Sequence, residues 1–371
     1  MQMIENSNMS QSFRGKTVVL TGHTGFKGSW LAHWLQQLGA IVIGISLEPP
    51  TSPSHFAVTN LHKTLKDLRI DVRDGELIKR ILVEARPDFV FHLAAQSLVQ
   101  ESYENPIETW QTNVLGTLNV LEALRSLDNF CSCVIITSDK SYENVEWVWG
   151  YRETDRLGGK DPYSASKAAA EMAIHSHVMS YFPTDSSKVR IASARAGNVI
   201  GGGDWAENRI IPDCVKNWSQ GNAAKLRNPN ATRPWQHVLE PLSGYLVLAQ
   251  SLGVKPELHG ESFNFGPHSQ KDYTVLDLVS EMSTHWDLVT WDGIPPTISQ
   301  RHEAGLLKLN CDKALNFLNW QSILNFENTI RMTADWYKAY YQNPVSISSV
   351  TKSQINEFQA TAKSQGVPWA Q

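Results

Sequence analysis

Along the first two hundred residues, short apolar runs rich in β-branched residues alternate with longer stretches whose apolar positions recur every three or four residues. Lys16–Leu20 reads as a buried strand, and Phe26–Leu38 follows it with Phe26, Trp30, Leu31, Trp34, Leu35 and Leu38 at helical spacing. Gly39 stops that helix, and Ile41–Ser46 forms the next strand. Asp67–Ile70, Phe89–His92, Val134–Thr137 and Val189–Ala194 carry the strand pattern again, separated by helical patterns over Gly75–Glu84, Pro106–Leu127 and Pro162–Phe182. This alternation predicts an α/β fold, a doubly wound parallel sheet covered by helices, with its site at the carboxyl ends of the strands.

After Gly197 the regularity lapses. Segments such as GGGDWAENR and RNPNATRPWQ read as ligand-wrapping loops between helices at Leu242–Leu252 and Leu276–Met282. The expected organisation is a flexible segment over 1–14, a dinucleotide-binding domain over 15–197 and mainly a smaller substrate-binding lobe over 198–342. Some later chain is expected to return to the first domain. The Ser/Gln-rich end, 343–371, reads as a loosely held tail.

Composition narrows the function. The 371 residues are 42% hydrophobic and 19% charged, an ordinary globular balance. A formal net charge of -4 offers no long-range attraction to nucleic acid or an anionic membrane, so neither is expected as a partner. No apolar run approaches the ~20 residues that span a bilayer, and the polar first fourteen residues lack a signal-peptide core. A cytoplasmic location follows as the expectation. Cys131, Cys133, Cys214 and Cys311 are scattered without the companions of a metal site, so no metal is expected. Thirteen Trp hint at stacking surfaces, although burial in the core is the more frequent use of Trp.

The first strand-to-helix turn carries Gly22, Thr24, Gly25, Phe26 and Gly28 in a G-x-x-G-x-x-G spacing. Gly22 suits the tight turn, Gly25 lets backbone approach a pyrophosphate, and Gly28 lets the helix pack on the sheet. A strand before and an amphipathic helix after supply the context of a Rossmann-like dinucleotide site. Strand two ends at Ser46, with Glu48 two residues on, where an acidic residue normally meets the adenosine ribose. That position alone does not separate NAD from NADP, and the absence of an Arg beside Ser46 favours NAD. Asp71 and Val72 suit an adenine edge, and the small run Leu93-Ala94-Ala95 suits backbone lying beside a cofactor.

Tyr163 and Lys167, one turn apart on a predicted helix, place a phenol and an ammonium on one face. The ammonium is expected to favour phenolate and so make Tyr163 a useful base. Ser138, Asp139 and Lys140 crowd the end of the fifth strand with a hydrogen-bond donor, an acid and a possible base.

The glycine loop, HLAAQ, TSDKSY, WGYRETDRLGGKDPYSASK, RAGNVIGGGDW, RNPNATRPWQHVLEPLSGY and FNFGP together resemble the CDP-glucose 4,6-dehydratases of the extended short-chain dehydrogenase/reductase family. The resemblance runs from about Gly15 to Tyr340. It implies NAD-dependent dehydration of CDP-D-glucose to CDP-4-dehydro-6-deoxy-D-glucose. Tyr163 would take the 4-hydroxyl proton, Ser138 hold that oxygen, Lys167 hold the ribose, and Asp139 protonate the leaving 6-hydroxyl. Lys140 would act as base at C5 or as electrostatic stabiliser of the enolate; related dTDP-glucose enzymes place Glu there. Asn198, Arg209, Arg227 and Arg233 are implied for the diphosphate, and Gln96, Tyr103 and His237 for the sugar side. A homodimer or homotetramer through the Pro106–Leu127 and Pro162–Phe182 helices is implied as well. A 4-epimerase would share Tyr163 and Lys167 but has no use for Asp139-Lys140. Dehydration of another nucleotide hexose keeps the whole machinery. A noncatalytic binding protein would be expected to lose Tyr163 or Lys167, and both are present.

Overall fold

A computed structural model describes residues 8–226, 228–267, 273–287, 289–293 and 306–371. Seven parallel strands form its central sheet: β1 (Thr17–Thr21), β2 (Ile41–Ser46), β3 (Lys66–Arg69), β4 (Phe89–His92), β5 (Cys131–Ile136), β6 (Val189–Ala196) and β7 (Ser262–Phe265). Their spatial order is β7-β6-β5-β4-β1-β2-β3, so the winding reverses between β1 and β4. At such a switch point the loops leaving two neighbouring strands diverge and open a crevice at their carboxyl ends. β1 aligns Thr21 with Ile45 on one side and with His92 on the other, which brings the glycine turn and the Leu93–Ala95 run together.

Five of the seven strands are the apolar runs of the sequence, because a parallel strand buried on both faces needs no polar alternation. Edge strand β3 (KDLR) has no fully buried residue and is correspondingly polar. Helix α1 (Met9–Phe13), helix α2 (Phe26–Gln37) and much later chain cover one face, with Trp30, Trp34 and Phe91 in that core. Helix α3 (Gly75–Ala85), helix α4 (Val99–Glu104), helices α5 (Pro106–Trp110) and α6 (Gly116–Leu124), and helix α7 (Pro162–Tyr181) complete the first half; α3, α6 and α7 pack on the other face around Ile78, Val120 and Ile174. A π-turn at Gln111–Leu115 joins α5 to α6, so the predicted 106–127 helix is continuous in path but not in hydrogen bonding. Beyond β6, helix α8 (Ile210–Trp218) and short ladders such as Thr232–Arg233 with Tyr273–Thr274 form a region apart from the sheet. Helix α9 (Leu239–Val254) packs beneath β5 and β6, and β7 pairs with β6. Helix α10 (Val275–His285) and helix α11 (Phe326–Gln342) pack on each other.

Both chain ends differ from expectation. Residues 9–13, inside the segment read as flexible, form α1, capped by Asn8, with Phe13 buried against Phe89 at 4.6 Å between ring centres. The segment read as a loose tail is helix α12 (Ile347–Ser364), docked on α2 and α11. Its composition is polar, but Ile347, Thr351, Ile355, Phe358 and Ala362 recur at helical spacing and are buried. Phe358 meets Trp34 edge-on and stacks on Trp369, and the Gln354 amide donates to the Met332 carbonyl. No helix among the described residues is long and apolar enough to cross a membrane.

A docked α12 makes Phe358→Ala destabilising by about 3–5 kcal/mol, the usual cost of emptying a buried aromatic site. Urea unfolding measures this directly; a loss below about 1 kcal/mol would show that the last helix adds little to the core.

Candidate active site

Gly22 sits at φ +79°, and a Cβ there would lie 2.7 Å from the Ala94 nitrogen. A Cβ on Gly28 would lie 2.1 Å from the Gly22 carbonyl oxygen, so neither position admits a side chain. Gly25 is the N-cap of α2, where no side chain caps the first turn and no acidic residue stands in it. That helix end can therefore receive an anion on backbone N–H groups. Thr24 Oγ1 lies 2.7 Å from Ser46 Oγ and donates to the Leu47 carbonyl, joining the glycine turn to the end of β2. His23 fills the space that Gly44 leaves open and lies 2.8 Å from an Asp67 carboxylate oxygen. Leu93, Ala94 and Ala95 are partly buried across the crevice, and the Ala94 N–H donates to Thr21 Oγ1. These features fit a dinucleotide diphosphate.

Two features of the adenosine side were not visible in the sequence. No Arg adjoins Ser46 in sequence, but the register of β2 and β3 makes Arg69 its neighbour in space. The Arg69 guanidinium is already engaged by Asp67, by the Leu47 carbonyl and by Glu48. The Asp71 carboxylate is taken by Arg73 Nε and Nη2, and Val72 is buried beside Gly116.

At the end of β5, Ser138 caps a single 3-10 turn, Asp139–Ser141. Its hydroxyl donates to Asp139 Oδ1 at 3.0 Å and accepts the Lys140 N–H, and it lies close enough to the Tyr163 phenol to influence its ionisation. The Asp139 carboxylate occupies the space above Gly197, where a Cβ would lie 1.8 Å from Oδ2. Lys140 is partly buried, and its ammonium makes no hydrogen bond or ion pair with any described residue. Asp161 caps α7, which begins with Pro162 and carries Tyr163 and Lys167 into the same space, both buried. Lys167 Nζ donates to the Ile136 carbonyl at 3.4 Å.

The electrostatics differ from the simple Tyr–Lys expectation. Burial, the largest influence, pushes the Tyr163 phenol up to about 12; the Ser138 contact opposes this, Asp139 adds to it, and Arg209 opposes it. Burial pushes Lys167 down to about 8, helped by Lys27 and opposed by Glu171. Desolvation of the phenol thus outweighs the help that a nearby ammonium can give.

Three contributors escaped the sequence reading. Glu171 lies two turns beyond Tyr163 on the same face of α7, and that spacing was its only signal. Arg195 grips it with Nε to Oε1 at 2.9 Å and Nη2 to Oε2 at 3.0 Å, and Thr137 and Ser193 donate to it as well. Burial pushes Glu171 up, but Arg195 and the hydroxyls hold it below the usual carboxylate range. Asn113, in the π-turn, accepts the Gln96 N–H and donates to the Gln96 carbonyl and to Ser166 of α7. Lys27, in the first turn of α2, is partly buried within the electrostatic reach of Asp139, Arg209 and Lys167.

The residues expected on the substrate side divide. Arg209, the N-cap of α8, donates to Asp204 at 2.6 Å and faces Tyr163. Asn198 lies just after β6 with φ +41°. Arg233 is partly buried in the short ladder with Tyr273. Arg227 lies outside the described residues. Tyr103 is exposed on α4, which packs on α5 and α7. The Gln96 amide is spent on its own loop, donating to the Leu98 carbonyl and Thr109 and accepting the Leu98 N–H. His237 is a core residue: it is 0% exposed, edge-on to Trp30, and pushed down to about 3 chiefly by burial. Trp205 packs on Trp336, Tyr337 and Tyr340. Among the described residues no group of three His, Cys, Asp or Glu could hold a metal ion.

Comparison with known proteins places this arrangement. Residues 19–333 match the family model described as GDP-mannose 4,6 dehydratase. The chain is 46% identical over 334 residues to the CDP-glucose 4,6-dehydratase of Salmonella typhimurium, covering 88% of this chain and 92% of that protein. It is 27% identical over 296 residues to dTDP-glucose 4,6-dehydratase 1 of Escherichia coli, covering 72% and 77%. Among solved structures, an epimerase from Methanothermobacter thermautotrophicus superposes with a TM-score of 0.74 at 23% identity, covering 91% of this chain and 96% of that one. The dTDP-glucose 4,6-dehydratase of Bacillus anthracis, solved in complex with NAD, gives 0.71 at 22% identity, covering 89% and 98%. At those identities the structures share the fold.

The Glu171–Arg195 pair carries a stability prediction. Replacing Arg195 with Met leaves a buried carboxylate unmatched and costs about 3–5 kcal/mol. Urea titration of the R195M, E171Q and double variants tests this; additive losses would show that the two side chains act independently.

Proposed function

The chain belongs to the GDP-mannose 4,6-dehydratase family, and from that premise we propose that it converts CDP-D-glucose to CDP-4-dehydro-6-deoxy-D-glucose with NAD as its cofactor. The observation that carries this reading is the 46% identity, over nearly the whole of both chains, with a CDP-glucose 4,6-dehydratase. The gathering of Ser138, Asp139, Lys140 and Tyr163 at one strand end supplies the groups that such a dehydration needs. NAD, when bound, supplies the hydride acceptor for C4 and the donor for C6.

The protein's own groups move the protons. Tyr163 takes the proton of the 4-hydroxyl while Ser138 holds that oxygen, and Lys167 holds the cofactor ribose. The resulting ketone acidifies the C5 proton. Asp139 gives its proton to the departing 6-hydroxyl, which leaves as water, and a proton returns to C5 as C6 is reduced. A neutral Lys140 serves as the C5 base and returns that proton; a charged Lys140 stabilises the enolate instead. An epimerase has no step for Asp139 and Lys140, which is why the site favours elimination. Arg209, with Asn198 and Arg233, is assigned to the nucleotide-sugar diphosphate, and the chain of 198–342 outside α9 and β7 to the substrate-binding lobe.

The helices beside the site support self-association. Ile107 and Leu115 on the α5–α6 path, and Met172 and Met179 on α7, expose 69%, 52%, 57% and 71% of their surface on helices that pack side by side. We assign this face to a homodimer contact built from two helices of each copy.

Four outcomes test these assignments. Mass spectrometry of purified protein with CDP-, dTDP-, UDP- and GDP-glucose should show loss of water from the CDP sugar; epimerisation without water loss overturns the dehydratase reading. Tyr163→Phe and Asp139→Asn should each lower kcat by about 10²–10⁴-fold while CDP binding persists. Lys140→Arg, which keeps a charge but not a titratable base, should retain activity only if Lys140 acts electrostatically. In light scattering, joint Ile107→Glu and Met179→Glu substitutions should halve the mass; an unchanged mass places the interface elsewhere.

A further inference from the structure

The crevice holds one cation that the reaction as described does not use. Lys27 occupies the second position of α2, directly after the glycine turn. Its neighbour Phe26 reaches the 201 loop, where a Cβ on Gly201 would lie 3.3 Å from the ring. The first turn of α2 therefore faces the 197–209 segment across the crevice. Lys27 is partly buried there and makes no hydrogen bond or ion pair with any described residue.

The charges around it do not balance. Asp139 attracts it, while Arg209 and Lys167 repel it. Arg209 is already paired with Asp204, and Lys167 is held at the Ile136 carbonyl. Asp139 takes its hydrogen bond from Ser138 and forms no ion pair with Lys27. Burying an unmatched ammonium costs free energy, so its retention beside an uncapped helix end points to an anionic ligand. Burial lowers Lys27 to about 8, as expected for an ammonium without its counter-ion.

We propose that Lys27 is a further binding residue of this site, its ammonium reaching past the glycine turn to take a diphosphate oxygen of the dinucleotide. This rests on the NAD-dependent reading above. Position separates the two diphosphates of that reading: Lys27 rides on the helix that follows the glycine turn, whereas Arg209 and Asn198 lie on the loops assigned to the nucleotide sugar.

Calorimetric titration of the full-length wild type, Lys27→Met and Lys27→Arg with NAD+, ADP-ribose and CDP tests the assignment. ADP-ribose carries the diphosphate without the nicotinamide. Lys27→Met should weaken both NAD+ and ADP-ribose by about tenfold to a hundredfold, the range of one charge-assisted contact. Lys27→Arg should recover most of the loss, and CDP affinity should stay within about twofold of wild type. Undiminished ADP-ribose binding by Lys27→Met overturns the proposal, as does an equal loss for CDP, which would assign the ammonium to the nucleotide sugar. Lys27→Gln replaces the Met variant if that protein does not fold. A wild type that binds no NAD+ defeats the dehydratase reading itself, whereas wild-type binding with an indifferent Lys27→Met defeats only this inference.

Discussion

The site depends on one buried ion pair. Glu171 and Arg195 are each 3% exposed at the side chain, so both charges have surrendered water. Such a pair persists only where geometry and further hydrogen bonds make good the desolvation. Here the guanidinium meets the carboxylate on two bonds, Thr137 and Ser193 complete the carboxylate, and Tyr142 and the Glu153 carbonyl complete the guanidinium. The partners come from α7, from β6 and from the chain leaving β5. The pair therefore clamps α7, which bears Tyr163 and Lys167, to the strand end that bears Ser138 and Asp139. Tyr163 and Ser138 are far apart in sequence, and their meeting is set by this clamp more than by either local motif.

The sheet was legible because each buried parallel strand leaves a compact apolar run and each glycine turn marks where the chain reverses. Polarity misled at the ends of the chain. In α12 a buried stripe is diluted by Ser, Gln and Lys on the solvent face, so composition concealed what helical spacing preserved. The site was legible only where motif and strand end coincide, as at Gly22–Gly28, Ser138–Lys140 and Tyr163–Lys167. Glu171 and Lys27 come to the site through tertiary proximity, and only helical spacing from Tyr163 hints at the first of them. His237 shows the reverse error: a histidine in a matched loop looked like a ligand group, yet its ring completes the packing around Trp30. Arg69 shows why adjacency in sequence is a poor guide beside a sheet, since the neighbour of Ser46 arrives from the next strand.

The same burial that orders the site also sets a chemical constraint. With protein groups alone, burial holds Tyr163 near 12, and Lys167 is itself depressed by burial and by Lys27. A phenol so far above neutrality is a weak base at pH 7. What favours phenolate is positive charge close to the oxygen. Among protein groups Arg209 supplies such charge, and its influence falls short of offsetting burial. With protein groups alone the phenol stays protonated at pH 7, so bringing it toward ionisation requires cationic charge that a bound ligand would supply.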